Sequence, residues 1–212
     1  MNQITRDPND AVHENRTECP ALPNRQITMV KVAQNIEEMM QAFVVRAAVF
    51  MSGQHCPYAE EFDGNDFTAT QILGVIDEEP VAAIRIRYFS SFAKLERLAV
   101  RREFRGQAVA ATVIEFALEL CRRKGYRKIH GHAEERLLPF WRKFGFQPMS
   151  APSFVFSDHQ YVEMELELEP HPDPIAIGKD PMLLIRPESE WDTPGVLEKS
   201  SVRPATNPVG DW

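Results

Sequence analysis

The spacing of apolar positions changes period several times along the chain, and each change predicts an element. "RQITMVKVA" (25–33) alternates as a first strand. Asn35 then stands where a helix N-cap belongs, with Glu38 placed for a capping box, and "IEEMMQAFVVRAAVFM" (36–51) carries apolar residues at helical spacing. "SGQHCPYAEEFDGND" (52–66) has no period and reads as a loop. "ATQILGVID" (69–77) and "VAAIRIRYF" (81–89) are two strands of a hairpin around the turn "EEP". "KLERLAV" (94–100) is a further strand. From about Gly106 to Lys124 an amphipathic helix buries Val109, Val113, Phe116 and Leu120, and Gly125 takes its C-terminal cap. "KIHGHA" (128–133) is a strand, "EERLLPFWRKFGF" (134–146) a short helix, and "SFVFS" and "YVEMELELE" finish the sheet.

These elements divide the 212 residues into a flexible polar arm (1–25), one domain (26–168) and an extended Pro-rich tail (169–212). Eight of the sixteen prolines lie in the last 43 residues, which excludes a long helix there. The tail's "MLLI" (182–185) and Trp191 are apolar enough to dock on the domain or on a neighbouring subunit. No apolar run approaches a membrane span, and the three cysteines are far apart with no CxxC pair. Both features suit a cytoplasmic protein.

A net charge of −7 argues against a general nucleic-acid binder. Basic residues are nonetheless concentrated. Arg85 to Arg105 holds seven Lys/Arg against two acids, and Cys121 to Ala133 holds five against none. A local positive patch on an acidic protein points to a small anionic ligand. The densest part is "LERLAVRREFRGQAVAATVIEFALELCRRKGY" (95–126), where a strand hands over to a helix through an arginine-rich turn. A helix N-terminus offers unpaired N–H groups to a phosphate. Gly106, Ala108, Ala110 and Ala111 leave room for a ligand's backbone, and Arg102 and Arg105 add charge.

"LERLAVRREFRGQAVA" resembles the pyrophosphate-binding motif of the GNAT N-acetyltransferase superfamily, with Ala108 where glycine is usual. "FWRKFGF" is similar to that family's late helix, and the element order from 26 to 168 follows its sheet. The resemblance implies an α/β (α+β) fold: a mixed, mostly antiparallel sheet flanked by helices, its strands splayed around a coenzyme A cleft. It implies acetyl-CoA as co-substrate and no metal. Leu98, Ala99 and Val100 would meet the pantetheine arm like an added strand. Arg105, Gly106, Gln107, Ala108, Val109 and Ala110 would take the pyrophosphate, with Trp141 on the late helix beside the cofactor.

Acetyl transfer to an amine needs a base, an oxyanion donor and an acid for the leaving thiolate. Trp141 stands where the family's late helix often carries a Tyr acid, so the acid is Tyr161, His159 or water. For the base, Glu96 comes first, since a half-dry cleft can raise a carboxyl toward neutrality; ion pairing with Arg85, Arg87 or Lys94 is the competing reading. His159 is a second candidate. Tyr58, Glu60, Glu61 and Asp63, with Asp66 nearby, would form an acceptor side suited to a cationic amine with an apolar body. Residues 46–66 also loosely resemble acyl-homoserine-lactone and N-acyl amino acid synthases. His130 and His132 share one strand face with Glu134 following, too few ligands for a metal site on spacing alone. Three readings follow: an acetyl-CoA-dependent N-acetyltransferase acting on a small amine, amino-acid derivative or peptide N-terminus; a synthase fed by acyl carrier protein; or a non-catalytic acyl-CoA-binding module. A homodimer is consistent with each.

Overall fold

The computed structural model describes residues 27, 29–156 and 158–204. The expected N-terminal arm lies outside them. Eight strands form one sheet in the order β1-β2-β3-β4-β5-β8-β6, with β7 also paired to β8. The strands are β1 (Met29–Val32), β2 (Thr70–Ile76), β3 (Glu79–Tyr88), β4 (Ala93–Val100), β5 (Lys128–Glu134), β6 (Gln147–Pro148), β7 (Phe154–Phe156) and β8 (His159–Glu167). All pairings are antiparallel except β4 with β5. The fold is the mixed, mostly antiparallel sheet flanked by helices that the sequence implied.

The two faces of β2 and β3 are both covered, which explains why these strands read as nearly continuous apolar runs rather than alternating ones. Helix α1 (Ile36–Arg46) packs on one face, where Ala42, Val45 and Val49 meet Leu73, Val75, Ala83 and Ala99. Helix α3 (Val109–Arg123) packs on the other, where Val109, Val113, Ile114 and Ala117 meet Ile72, Ile84 and Ile86. Gly74 permits that approach, since a Cβ there would lie 2.8 Å from the Val113 methyl.

Asn35 caps α1 by accepting from the Glu38 N–H at 2.9 Å, and the Glu38 carboxylate in turn accepts from the Gln34 N–H at 2.7 Å. The chain continues past Arg46 as one π-helical stretch, Ala47–Ser52, and the loop beyond it contains a single helical turn, α2 (Tyr58–Glu61).

Three local expectations are corrected. The β2–β3 turn is Asp77–Glu78, not "EEP": both residues have positive φ (48° and 68°), the two-residue geometry that follows the twist of the strands. Helix α3 starts at Val109 rather than Gly106, because Gly106 at φ +79° belongs to the preceding turn. The segment 134–146 is three short turns with α4 (Leu138–Trp141) at its centre, ended by Gly145 at φ +92°.

The tail is also not wholly extended. It contains α5 (Val196–Ser201) and lies against its own domain. Trp191 is only 6% exposed and sits under the Arg123 guanidinium. Glu188 accepts from Thr70, Tyr88 and Lys124, and Asp192 pairs with Arg123. "MLLI" is half-exposed, only Leu183 packing on the core.

Candidate active site

Strands β4 and β5 pair only as far as Leu95 and Gly131, although β4 runs on to Val100 and β5 to Glu134. Beyond that point the strands separate, and a cleft of about 810 Å³ opens between them. One edge of β4 is thereby free of strand partners from Glu96 to Val100. On its other edge Arg97 and Leu98 together oppose the single residue Ile84, a bulge in which Arg97 takes φ +55°.

The cofactor half is built from the end of β4, the Arg–Gly turn and α4. Leu98, Val100, Arg105, Gly106, Gln107, Ala110 and Trp141 line the cleft. Ala99 is buried toward α1, Val109 is buried in the core, and Ala108 is exposed at the rim as the residue capping α3. Ala108 has φ −69°, open to any residue, so the position that demands glycine is Gly106. Trp141 is buried against Phe140, Phe144 and Phe146 in edge-to-face contacts.

The residues present fit a diphosphate. The first N–H groups of α3 have no partners within the helix. Arg105, tethered through Nε to the Val100 carbonyl at 3.0 Å, and Lys143 at the cleft wall have no ion pair among the described residues. A diphosphate would meet the α3 amides and these two cations, all of which can donate to its oxygens.

Across the cleft, three acids of the 52–66 loop and Glu96 are already paired with cations. Arg46, with no solvent exposure, donates to Glu61 at 2.6 Å and Asp66 at 2.5 Å. Arg85 donates to Asp63 at 2.7 Å, Asp66 at 3.1 Å and Glu96 at 2.7 Å. Arg97 approaches Glu61 at 3.3 Å and Asp63 at 3.5 Å, and Lys94 reaches Glu96 at 2.7 Å. With Arg87 at 3.9 Å from Glu96, five cations therefore meet four carboxylates.

Burial alone would raise the Glu96 carboxyl, but Lys94 and Arg85 outweigh it and hold the group below the usual range. The expected shift toward neutrality is thus corrected. Glu61 goes the other way, raised because its burial outweighs Arg46 and Arg97. Arg85 holds Asp63 well below the ordinary carboxylate range. Glu60 gives only its backbone carbonyl to Arg97, and Tyr58 is exposed beside Phe62, outside the cleft lining.

Tyr161 of β8 lines the cleft, stacked on Phe154, and burial raises its phenol above the usual value. His159 is exposed at the start of β8 and lines, with Glu135 and Gln160, a hollow that adjoins the cleft through Glu134 and Arg136. Phe50, Phe154, Phe156 and His132 also line the cleft, and the sequence singled out none of the three phenylalanines.

Comparison with known proteins agrees with this geometry. The family description "Acetyltransferase (GNAT) domain" matches residues 34–168. An uncharacterized N-acetyltransferase of Bacillus subtilis, YjcF, is 28% identical over 133 residues, 63% of this chain and 95% of that protein. The crystal structure of Escherichia coli ElaA aligns over 66% of this chain and all of its own, at 26% identity and a TM-score of 0.59. A GNAT family acetyltransferase from Elizabethkingia anophelis, solved with acetyl-CoA bound, shares the fold at a TM-score of 0.51 and 11% identity, over 66% of this chain and 97% of its own.

Proposed function

Because the chain belongs to the GNAT acetyltransferase family, we propose that it moves the acetyl group of acetyl-CoA onto the primary amine of a small molecule, amino-acid derivative or peptide N-terminus by direct attack. The observation that carries this reading is the parting of β4 from β5 beside the Arg105–Gly106 turn, which gives a strand edge and a phosphate cradle on one cleft. Acetyl-CoA supplies the activated acyl group. The chain's own part is to hold it: Leu98 and Val100 offer backbone along the β4 edge, Arg105 and Lys143 offer charge, and the α3 amides offer donors.

Among the expected catalytic groups, Tyr161 is favoured as the acid. It lines the cleft and keeps its proton at neutral pH, so it has one to give to a departing thiolate. Glu96 is a poor base while three cations surround it at 2.7 to 3.9 Å. Its role is to fix Lys94 and Arg85. His159, in the hollow that adjoins the cleft through Glu134 and Arg136, is less favoured than Tyr161. With the acidic loop paired to arginines, the site favours a single amine carried on an apolar or aromatic body, to lie along Phe154 and Phe156, over a polycation.

The test is calorimetric titration with acetyl-CoA, CoA and a long-chain acyl-CoA, followed by a screen of amines. Micromolar acetyl-CoA binding with turnover of a monoamine supports the reading. Turnover of long-chain acyl carrier protein without acetyl-CoA would replace it by the synthase, and tight binding without turnover of any amine by the non-catalytic module.

A further inference from the structure

His130 and His132 lie two residues apart on β5, so the pleat puts both imidazoles on one face. The antiparallel register sets Glu163 of β8 directly opposite His132. The Glu163 carboxylate stands between the rings, Oε1 at 3.7 Å from His132 Nε2 and Oε2 at 3.9 Å from His130 Nε2. One ligand atom from each residue falls within 4.8 Å of the others.

These separations are too long for hydrogen bonds. Neither imidazole hydrogen-bonds to any described residue, and His130 Nδ1 is buried with no partner. Half-buried polar rings placed for packing alone are normally satisfied. The two rings stand edge-to-face at 5.0 Å between Phe92 and Phe154, which fixes their planes from both sides. The cluster is reachable, since His132 lines the cleft.

We propose that His130, His132 and Glu163 bind a divalent transition metal ion of the zinc class through two imidazole nitrogens and one carboxylate, leaving a coordination position open to the cleft. Tetrahedral zinc with bonds of about 2.0–2.1 Å holds its ligands roughly 3.3 Å apart, so closure needs side-chain rotation within the existing strand geometry. Two histidines and a carboxylate with a free position is an open donor set, not a closed structural one. If the acetyl-transfer reading holds, the ion also inhibits, because an amine lone pair given to the metal cannot attack a thioester. Metal binding itself does not depend on that reading.

The experiment is titration of tag-free protein with Co²⁺, followed by visible absorption, with Zn²⁺ as competitor and calorimetry for stoichiometry. One equivalent bound at micromolar Kd and displaced by Zn²⁺ is expected. Glu163→Gln, which keeps shape and removes charge, and His132→Ala should each weaken binding at least tenfold, with circular dichroism confirming that both variants fold. Saturation only in the millimolar range, or unchanged Kd in the His130→Ala/His132→Ala variant, overturns the site.

Discussion

Arg97, held at φ +55° in the β4 bulge, brings its guanidinium to 3.3 Å from the Glu61 carboxylate, a side chain with no solvent exposure. A left-handed arginine costs about 1–3 kcal/mol unless its surroundings over-determine it. Here they do: Glu60, Glu61, Asp63 and the face of Phe156 all engage the same side chain. The bulge that re-aims β4 at the cleft is therefore tied to the loop between α1 and β2 by charge.

Arg46 anchors that loop from below. Arg46→Met leaves Glu61 and Asp66 buried without their main cation and should cost about 3–5 kcal/mol. Urea denaturation measures it. Adding Glu61→Gln should return part of the loss, since the stranded charge is then gone; full additivity of the two changes would mean that they do not interact.

The network gives a signed pH dependence. Asp63, Asp66 and Glu96 titrate below their unfolded values, so they contribute stability that is fully present above about pH 4–4.5 and is lost as pH falls through their folded values. Glu61 is raised, so its ionised form opposes folding at neutral pH and that cost fades as pH drops. Three groups outnumber one, and Tm should fall steadily below pH 4.5. Asp63→Asn should make that fall shallower.

Tyr161→Phe removes the proposed acid while keeping the ring stacked on Phe154. Steady-state kinetics should show kcat lowered by about 10²-fold or more with the KM for acetyl-CoA nearly unchanged. Unaltered kcat would assign the proton to water.

Arg105→Glu reverses charge at the phosphate cradle and should weaken acetyl-CoA binding by roughly tenfold or more, about 1.4 kcal/mol or above. Its side chain is exposed, so Tm of the free protein should shift by no more than about 1–2 °C. Calorimetry of wild type and variant side by side separates the two effects.

Trp191→Ala empties a buried seat beneath Arg123 and should cost about 3 kcal/mol or more, read as a lower urea midpoint. Acetyl-CoA affinity should be unaffected, because Trp191 does not line the cleft.

The sheet, α1, α3 and the Arg–Gly turn were legible because each rests on local rules: period, capping and a glycine at positive φ. What stayed hidden was the pairing of charges. From the sequence, Glu60, Glu61, Asp63 and Asp66 read as an acidic surface for a cationic acceptor, yet three of them close on Arg46, Arg85 and Arg97 from other elements. Arg46 was visible only as a charge within an apolar helical run, and nothing local marks it as their partner. Glu163 was equally hidden as the neighbour of His132, since strand register across more than 30 residues, not sequence spacing, brings them together. Trp191 was read correctly as apolar enough to dock, but its place under Arg123 of α3 depends on tertiary packing that no local pattern marks.

The tail has a consequence in time as well as in energy. Glu188 reaches back 118 residues to Thr70 and 100 to Tyr88, and Glu190 reaches back 156 to Gln34. A ribosome adding about 5–20 residues per second completes β1 through β8 before these partners emerge. A sheet that forms during synthesis therefore does so with the seat of Trp191 open, and the strap, arriving last, seals it. Chains interrupted between β8 and Glu188 would carry a formed cleft and an uncovered apolar face, the combination that quality-control proteases and chaperones recognise.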